Sequence, residues 1–377
     1  MLPYAISEMS VWTIFAVSAV LSVAIVLTSK SFRPLSGRDG DLTSVQSAHR
    51  VATPRLGGIA IFASLIATLP FAPVYIETAY GNFLLAASVL FAAGLAEDLG
   101  WRVPPRGRLL AAVVASLLVI VMLDAWVPRI GWSVLEPIMA SGLLGIPLTI
   151  FVVVGISNAF NLIDGVNGLA GTTALVCAVA LGWISHATGY DAMMTFTTLL
   201  ALGIGGFLLL NYPFGLIFLG DAGAYTLGFV LAWFGVAIVM NHSDVTPWAI
   251  LLTMFWPIAD TLLAIYRRGL GKRPAMQPDR LHVHQLVMRS LEITWLGRDR
   301  RAVSNPLTTL VLLPFIVAPA CLGVLLWDQP ALAFGAFVGL VVLFFVAYFL
   351  MTFLVSSGRF GRLRTTAPPP LSEHPAE

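Results

Sequence analysis

Asn158, Asn161, Asp164 and Asn167, with Gly165 and Gly168 between and after them, closely follow the apolar run 143–154. Lipid offers carboxamides and carboxylates nothing, so ionisable groups at a membrane edge point to function. Side-chain oxygens at this spacing suit a polar cup for a metal ion and phosphates. Four further polar clusters interrupt the apolar sequence. The first is His49-Arg50-Val51-Ala52-Thr53-Pro54-Arg55-Leu56-Gly57-Gly58. Its proline stiffens the approach, and its glycine pair allows close backbone contact at a helix start, a natural anion site. The second is Glu97-Asp98, followed by Arg106 and Arg108. Adjacent carboxylates ending a membrane helix are costly unless a cation neutralises them. The third, 211–223, sets Asp221 among small residues; the fourth, 267–305, contains Asp279-Arg280-Leu281-His282-Val283-His284.

Each cluster has an ordinary reading when taken alone. Asp221 could cap a helix, and Pro-Arg-x-Gly-Gly could be a turn. Asn158 and Asn161 lie one helical turn apart and could tie helices together. His282 and His284 could face solvent, and Arg298, Arg300 and Arg301 suit lipid headgroups. The combination says more, because Asp98, Asp164, Asp221 and Asp279 fall in loops that share one membrane face. Carboxylates and amides around Mg²⁺, with Arg and protonated His nearby, suit phosphoryl transfer. A site at a membrane surface suggests one lipid and one soluble substrate. A lipid phosphate monoester, with a second pKa of about 6, is already a nucleophile at neutral pH.

The elements that must position these residues are membrane helices. The 377-residue chain is 58% hydrophobic and 11% charged, with a mean hydropathy of +0.89; a soluble domain carries about 25% charge. The fold class is therefore an all-α polytopic integral membrane protein. Spans are expected at 11–27, 56–74, 80–96, 109–127, 143–160, 169–184, 193–210, 225–240, 248–266, 307–327 and 331–355, which makes about eleven transmembrane helices. Residues 1–363 read as a single transmembrane catalytic domain with cytoplasmic loops 28–55, 97–108, 161–168, 211–224 and 267–305; 364–377 reads as a disordered cytoplasmic tail. No secretory cleavage signal is visible. Of the 21 Lys and Arg, only Arg129 falls on the side opposite the clusters. The clusters are then cytoplasmic, the N-terminus periplasmic and the C-terminus cytoplasmic. Cys177 and Cys321 lie in apolar runs and read as packing residues.

These motifs, in order from His49 to His284, resemble the polyprenyl-phosphate N-acetylhexosamine-1-phosphate transferases, the glycosyltransferase family 4 enzymes of MraY and WecA type. The resemblance implies transfer of N-acetylhexosamine-1-phosphate from a UDP-N-acetylhexosamine to undecaprenyl phosphate, with release of UMP. This would be the initiating step of O-antigen or other surface polysaccharide synthesis in the bacterial inner membrane. It implies Mg²⁺, with Mn²⁺ as a substitute, held by Asp221 and Asp98. It makes Asp98, Asp164, His282 and His284 catalytic, and gives substrate binding to His49, Arg55, Asn158, Asn161, Asn167 and Arg280. Partners would be the two substrates and membrane lipid, with a homodimer as the assembly and no nucleic acid.

Three departures from the family pattern matter. Glu97 replaces the first Asp of the usual pair, and Asn167 replaces a common second Asp. His282-Val283-His284-Gln285 lacks three consecutive histidines, which favours the WecA-like branch and a donor without a peptide. The segment 281–291 could lay Leu281, Leu286, Val287 and Leu291 on the membrane as an apolar stripe. The alternative is a transporter or flippase for an anionic lipid or nucleotide sugar. That class usually places its site near the midplane and often carries inverted repeats, and neither is evident.

Overall fold

A computed structural model describes residues 8–29, 53–271 and 282–356. The described regular structure is entirely helical. In chain order it comprises α1 (Glu8–Ser29), α2 (Gly57–Ala67), α3 (Glu77–Asp98), α4 (Pro105–Leu123), α5 (Glu136–Ala140), α6 (Gly145–Ile163), α7 (Leu169–Ala187), α8 (Asp191–Asn211) and α9 (Gly220–Asn241). There follow α10 (Pro247–Thr253), α11 (Phe255–Gly271), α12 (Val283–Leu291), α13 (Arg301–Leu325) and α14 (Pro330–Ser356). Nine of the described helices are long and apolar enough to cross a membrane, or ten when the bent pair α10–α11 is one span.

Two of the eleven expected spans depart from a straight crossing, and proline explains both. The segment expected at 56–74 is an 11-residue helix followed by a 3-10 turn, Leu69–Phe71. At about 1.5 Å per residue it reaches roughly half the hydrocarbon thickness. Pro70 cannot donate a backbone hydrogen bond back into α2, and it biases Leu69 out of the helical region. The segment expected at 248–266 breaks at Met254, where α10 and α11 meet at 84°. Pro257 cannot donate to the Thr253 carbonyl and its ring crowds that position, so a new helix starts with the proline in its first turn. The break turns α11 toward the polar end of the bundle.

The centre of the bundle is α9. All of its residues are buried except Ala237, Met240 and Asn241. A helix that is apolar all round needs neighbours on every side, and α2, α3, α6, α7 and α8 supply them. By contrast, the apolar window of α14 is not buried at all. The helix touches the bundle through Ala333, buried against Ala249 and Leu252, and through aromatic edges, Phe334 on Trp248 at 4.7 Å and Phe344 on Trp256 at 5.7 Å. Both cysteines are free thiols, as expected; Cys177 is buried as a packing residue, whereas Cys321 is exposed on the bundle surface.

The architecture gathers particular helix ends together. The last residue of α3 meets the first turn of α9, and the short lead into α2 lies alongside both. The loop after α6 is clasped by the start of α13.

Candidate active site

The site starts from backbone pairing. Phe218 N–H donates to the Pro54 carbonyl at 2.8 Å, Gly57 N–H to Phe218 at 2.9 Å and Gly58 N–H to Leu219 at 2.9 Å. The first polar cluster is thereby stitched to the segment that leads into Asp221. This explains the glycine pair: a Cβ on Gly58 would strike the Gly223 backbone. Gly220 is held at φ +73, where a side chain is strained, and a Cβ there would meet the Arg55 carbonyl and the Asp98 carboxylate.

Asp98 ends α3 with its side chain 1% exposed. One of its oxygens accepts the Asp221 N–H at 2.9 Å and the other the Ala222 N–H at 2.8 Å. These are orphan donors of the first turn of α9, and a carboxylate there also meets the positive end of the helix dipole. Asp98 is thus a cap supplied by another helix, and it fixes the backbone of Asp221. The expectation of Asp98 as a metal ligand has to share those same oxygens.

Asp221 is 5% exposed. Arg55 Nη2 lies 3.1 Å from its Oδ1, and Arg108 Nη1 pairs with its Oδ2. Arg55 Nε also lies 3.8 Å from Asp98 Oδ1. Two guanidiniums therefore balance two carboxylates in this state. Arg108 is oriented further by Tyr225, whose ring centroid lies 5.6 Å from the guanidinium carbon. The Tyr225 hydroxyl donates to Asn158 Oδ1 at 3.3 Å, and the Asn161 side chain lies close to the same hydroxyl. Asn158 and Asn161, on the last turns of α6, thus join the same cluster as Asp221.

Asp164 follows α6 directly. Removal from water pushes its carboxyl up to about 6, against the downward pull of Arg55. His284 lies over Gly165, against the position a Cβ would take. Its ring is parallel to that of His282, with centroids 5.7 Å apart. Burial pushes the His284 imidazole down to about 4, although Asp260 pulls it up. Desolvation here outweighs the acidic neighbour and favours the neutral ring of His284. His282 Nδ1 lies 2.8 Å from Asp260 Oδ2. Within α12, His284 and Met288 turn inward and are buried, so the helix packs on the core through this face as well as carrying partly buried Leu286, Val287 and Leu291.

Asn167 is 5% exposed and works mainly as a clamp. Its N–H donates to Asn305 Oδ1 at 2.7 Å, its carbonyl accepts from Thr309 at 2.7 Å, and its Nδ2 donates to the Pro213 carbonyl at 3.0 Å. Asn211 Oδ1 accepts the neighbouring Gly168 N–H at 2.8 Å. These partners hold the 164–168 loop in shape. The sequence reading gave Asn167 a substrate contact, for which its buried, unpartnered Oδ1 is open; it placed Asn211 in a polar cluster without a role and missed Asn305 and Thr309. It noted Arg108 only as a charge after Glu97-Asp98, and missed Tyr225 and Asp260. Their available signals were Tyr225 one turn beyond Asp221 and Asp260 as a carboxylate inside an apolar run. His49, Asp279, Arg280 and Leu281 lie outside the described residues.

The donor set suits a hard cation bound jointly with substrate. Among the described residues no group of three or more His, Cys, Asp or Glu is placed to hold a metal ion. Mg²⁺ typically takes one or two carboxylates together with substrate phosphates, and Asp221, with Asp98 beside it, offers that. Its charge is met here by Arg55 and Arg108, which are also suited to a diphosphate.

Comparison with known proteins places these residues in context. Residues 80–239 match glycosyl transferase family 4. That range holds Asp98, Asn158, Asn161, Asp164, Asn167 and Asp221, while Arg55, His282 and His284 lie outside it. A probable undecaprenyl-phosphate N-acetylglucosaminyl 1-phosphate transferase of Bacillus subtilis is 28% identical over 251 residues, covering 66% of this chain and 69% of the relative. An undecaprenyl-phosphate alpha-N-acetylglucosaminyl 1-phosphate transferase of Escherichia coli O157:H7 is 27% identical over 257 residues, with 66% and 69% covered. A decaprenyl-phosphate N-acetylglucosaminephosphotransferase of Mycobacterium tuberculosis is 28% identical over 279 residues, with 65% and 67% covered. Both comparisons find the family that the motifs resemble.

Proposed function

From a chain that matches glycosyl transferase family 4 across its central helices, we infer a polyprenyl-phosphate N-acetylhexosamine-1-phosphate transferase that works at the cytoplasmic face of a bacterial inner membrane. The donor is a UDP-N-acetylhexosamine, the acceptor is undecaprenyl phosphate, and the product lipid initiates a surface polysaccharide. The observation that carries this reading is the placement of Asp221. Its two oxygens meet two arginines at the mouth of the bundle, beside Asn158, Asn161 and Asp164.

In the proposed reaction an oxygen of the lipid phosphate attacks the sugar-bearing phosphorus of the donor. The bond between that phosphorus and the bridging oxygen breaks, and UMP leaves with the electron pair. Mg²⁺ bound at Asp221 would offset charge on the diphosphate. Asp98 keeps Asp221 in place through the first turn of α9. Arg55 and Arg108 exchange their carboxylate partners for phosphate oxygens as the donor arrives. Asn158 and Asn161, aligned through Tyr225, face the nucleotide side. His282 supplies a ring nitrogen to the diphosphate from the opposite wall.

The pH dependence of turnover has two sources on its acid side. Asp164 is pushed up to about 6, and the lipid phosphate has its second pKa at about 6. Both lose a proton as pH rises, and the proposed reaction uses both ionised forms. Turnover should therefore climb from pH 5 to 7 more steeply than one proton allows. Asp164→Asn should lower the plateau and leave a shallower limb. An unchanged steep limb in that variant would remove Asp164 from the titration.

The orientation is tested separately. A cysteine placed at Arg102 should be labelled only after the membrane is permeabilised, and one at Asn241 should be labelled in intact cells. Labelling at Arg102→Cys by an impermeant reagent in intact cells would put the site on the wrong side for a cytoplasmic nucleotide sugar. The donor is tested with purified protein, undecaprenyl phosphate, Mg²⁺ and a panel of labelled UDP-sugars. A simple UDP-N-acetylhexosamine should be used and UDP-MurNAc-pentapeptide should not. Use of the pentapeptide donor alone would place the chain with the peptidoglycan enzymes.

A further inference from the structure

Asp260 is a buried carboxylate that the reaction above leaves without a task. It lies in α11 just beyond the Pro257 break, with its side chain 1% exposed. A buried carboxylate persists only when it is paired and hydrogen-bonded, and here both oxygens are engaged on one target. Oδ2 meets His282 Nδ1 at 2.8 Å, and Oδ1 accepts the Val283 N–H at 3.0 Å. Val283 opens α12, so that N–H is an orphan donor of a helix start. The His282 carbonyl in turn accepts from Gln285 and Leu286. Asp260 therefore grips the point where the histidine segment becomes helix.

The consequence for His282 follows from hydrogen-bond chemistry. An ionised carboxylate only accepts, so the Nδ1 that faces it carries the proton. Nε2, on the far edge of the ring, is then the nitrogen left for a ligand. His284 stacks on this ring and reaches Gly165, beside Asp164. The arrangement runs from Asp260 through His282 and His284 to the loop that carries Asp164.

We propose that Asp260 is the positioning residue of the two-histidine segment, holding His282 through its Nδ1–H and seating α12 so that the Nε2 edge of the ring, as an N–H donor, faces the substrate diphosphate. The proposal rests on the transferase reading given above, which supplies the diphosphate.

The test uses the full-length protein. Asp260→Asn keeps the shape and still accepts from Val283, but it removes the negative charge opposite His282 and can turn an N–H toward Nδ1, so the ring loses the partner that lets Nδ1 stay protonated while Nε2–H donates to the diphosphate. Turnover should fall roughly 10- to 100-fold, as for other residues that orient a functional histidine through its second ring nitrogen, with the KM for the UDP-sugar little changed. In a double variant with His282→Ala, Asp260→Asn should add little further loss, because the two act as a unit. Unchanged turnover in Asp260→Asn, or losses that multiply in the double variant, would overturn the proposal. If the variant is lost from the membrane, nitrogen-15 spectra of His282 in the unmodified chain decide. A protonated Nδ1 supports the assignment and a bare Nδ1 overturns it. These spectra stand even if the unmodified protein transfers no sugar phosphate, an outcome that would sink the transferase reading instead.

Discussion

Asp221→Asn is expected to leave the protein folded and inserted while lowering turnover by roughly 10²- to 10³-fold, the scale of losing several kcal/mol of charge stabilisation in the transition state. The amide matches the carboxylate in shape, so α9 keeps its first turn and Asp98 keeps its two backbone donors. What is lost is the negative charge that Arg55 and Arg108 share. An amide is a poor substitute for an anionic Mg²⁺ ligand, and the two guanidiniums would face each other with less to separate them. The deficit should shrink as Mg²⁺ is raised, because the weakened step is metal capture. Near-normal turnover of the purified variant at limiting Mg²⁺ would remove Asp221 from the metal site.

Asp98→Ala should be at least as damaging, for a different reason. It strips the acceptors from the Asp221 and Ala222 N–H groups in a site where water has little access, and an unsatisfied buried donor costs about 1–3 kcal/mol. The first turn of α9 would loosen and carry Asp221 with it. Added Mg²⁺ should not restore this activity, in contrast to Asp221→Asn. Glu97→Gln should be much milder, since Asp98 alone supplies the cap. Equal losses for Glu97→Gln and Asp98→Ala would mean that the two carboxylates act as a unit. Rescue of Asp98→Ala by Mg²⁺ would favour direct ligation over capping.

Much of the frame was legible because its signals are local. Nine of the eleven expected apolar segments are single long helices, and the polar residues gather near the ends of those segments. The two misjudged spans contain their own explanation, Pro70 in one and Pro257 in the other, but an apolar window counts proline lightly. The roles within the site were harder to see because they are settled by partners far apart in the chain. Arg55 meets Asp221 across 166 positions, and Asp98 meets the Asp221 N–H across 123. Composition shows that Asp98 is costly at a helix end; only packing shows that it caps a second helix. Asn167 looked like a ligand because its neighbours are polar; its N–H, carbonyl and Nδ2 turn to Asn305, Thr309 and Pro213, while its buried Oδ1 has no hydrogen-bond partner among the described residues. Asp260 was hidden by the apolar residues around it, although a carboxylate within such a run is itself a signal.

The central claim is that one phosphorus atom moves from the nucleotide to the lipid. It is tested most directly by incubating the purified protein with undecaprenyl phosphate, Mg²⁺ and a UDP-N-acetylhexosamine that the panel shows to be a donor, carrying phosphorus-32 in the sugar-bearing phosphate. The label should pass into the organic phase as a diphosphate-linked lipid, with one UMP formed for each label transferred and both signals lowered together by Asp221→Asn at limiting Mg²⁺. Label that stays with UDP, or that appears as free phosphate without a labelled lipid, would contradict the account.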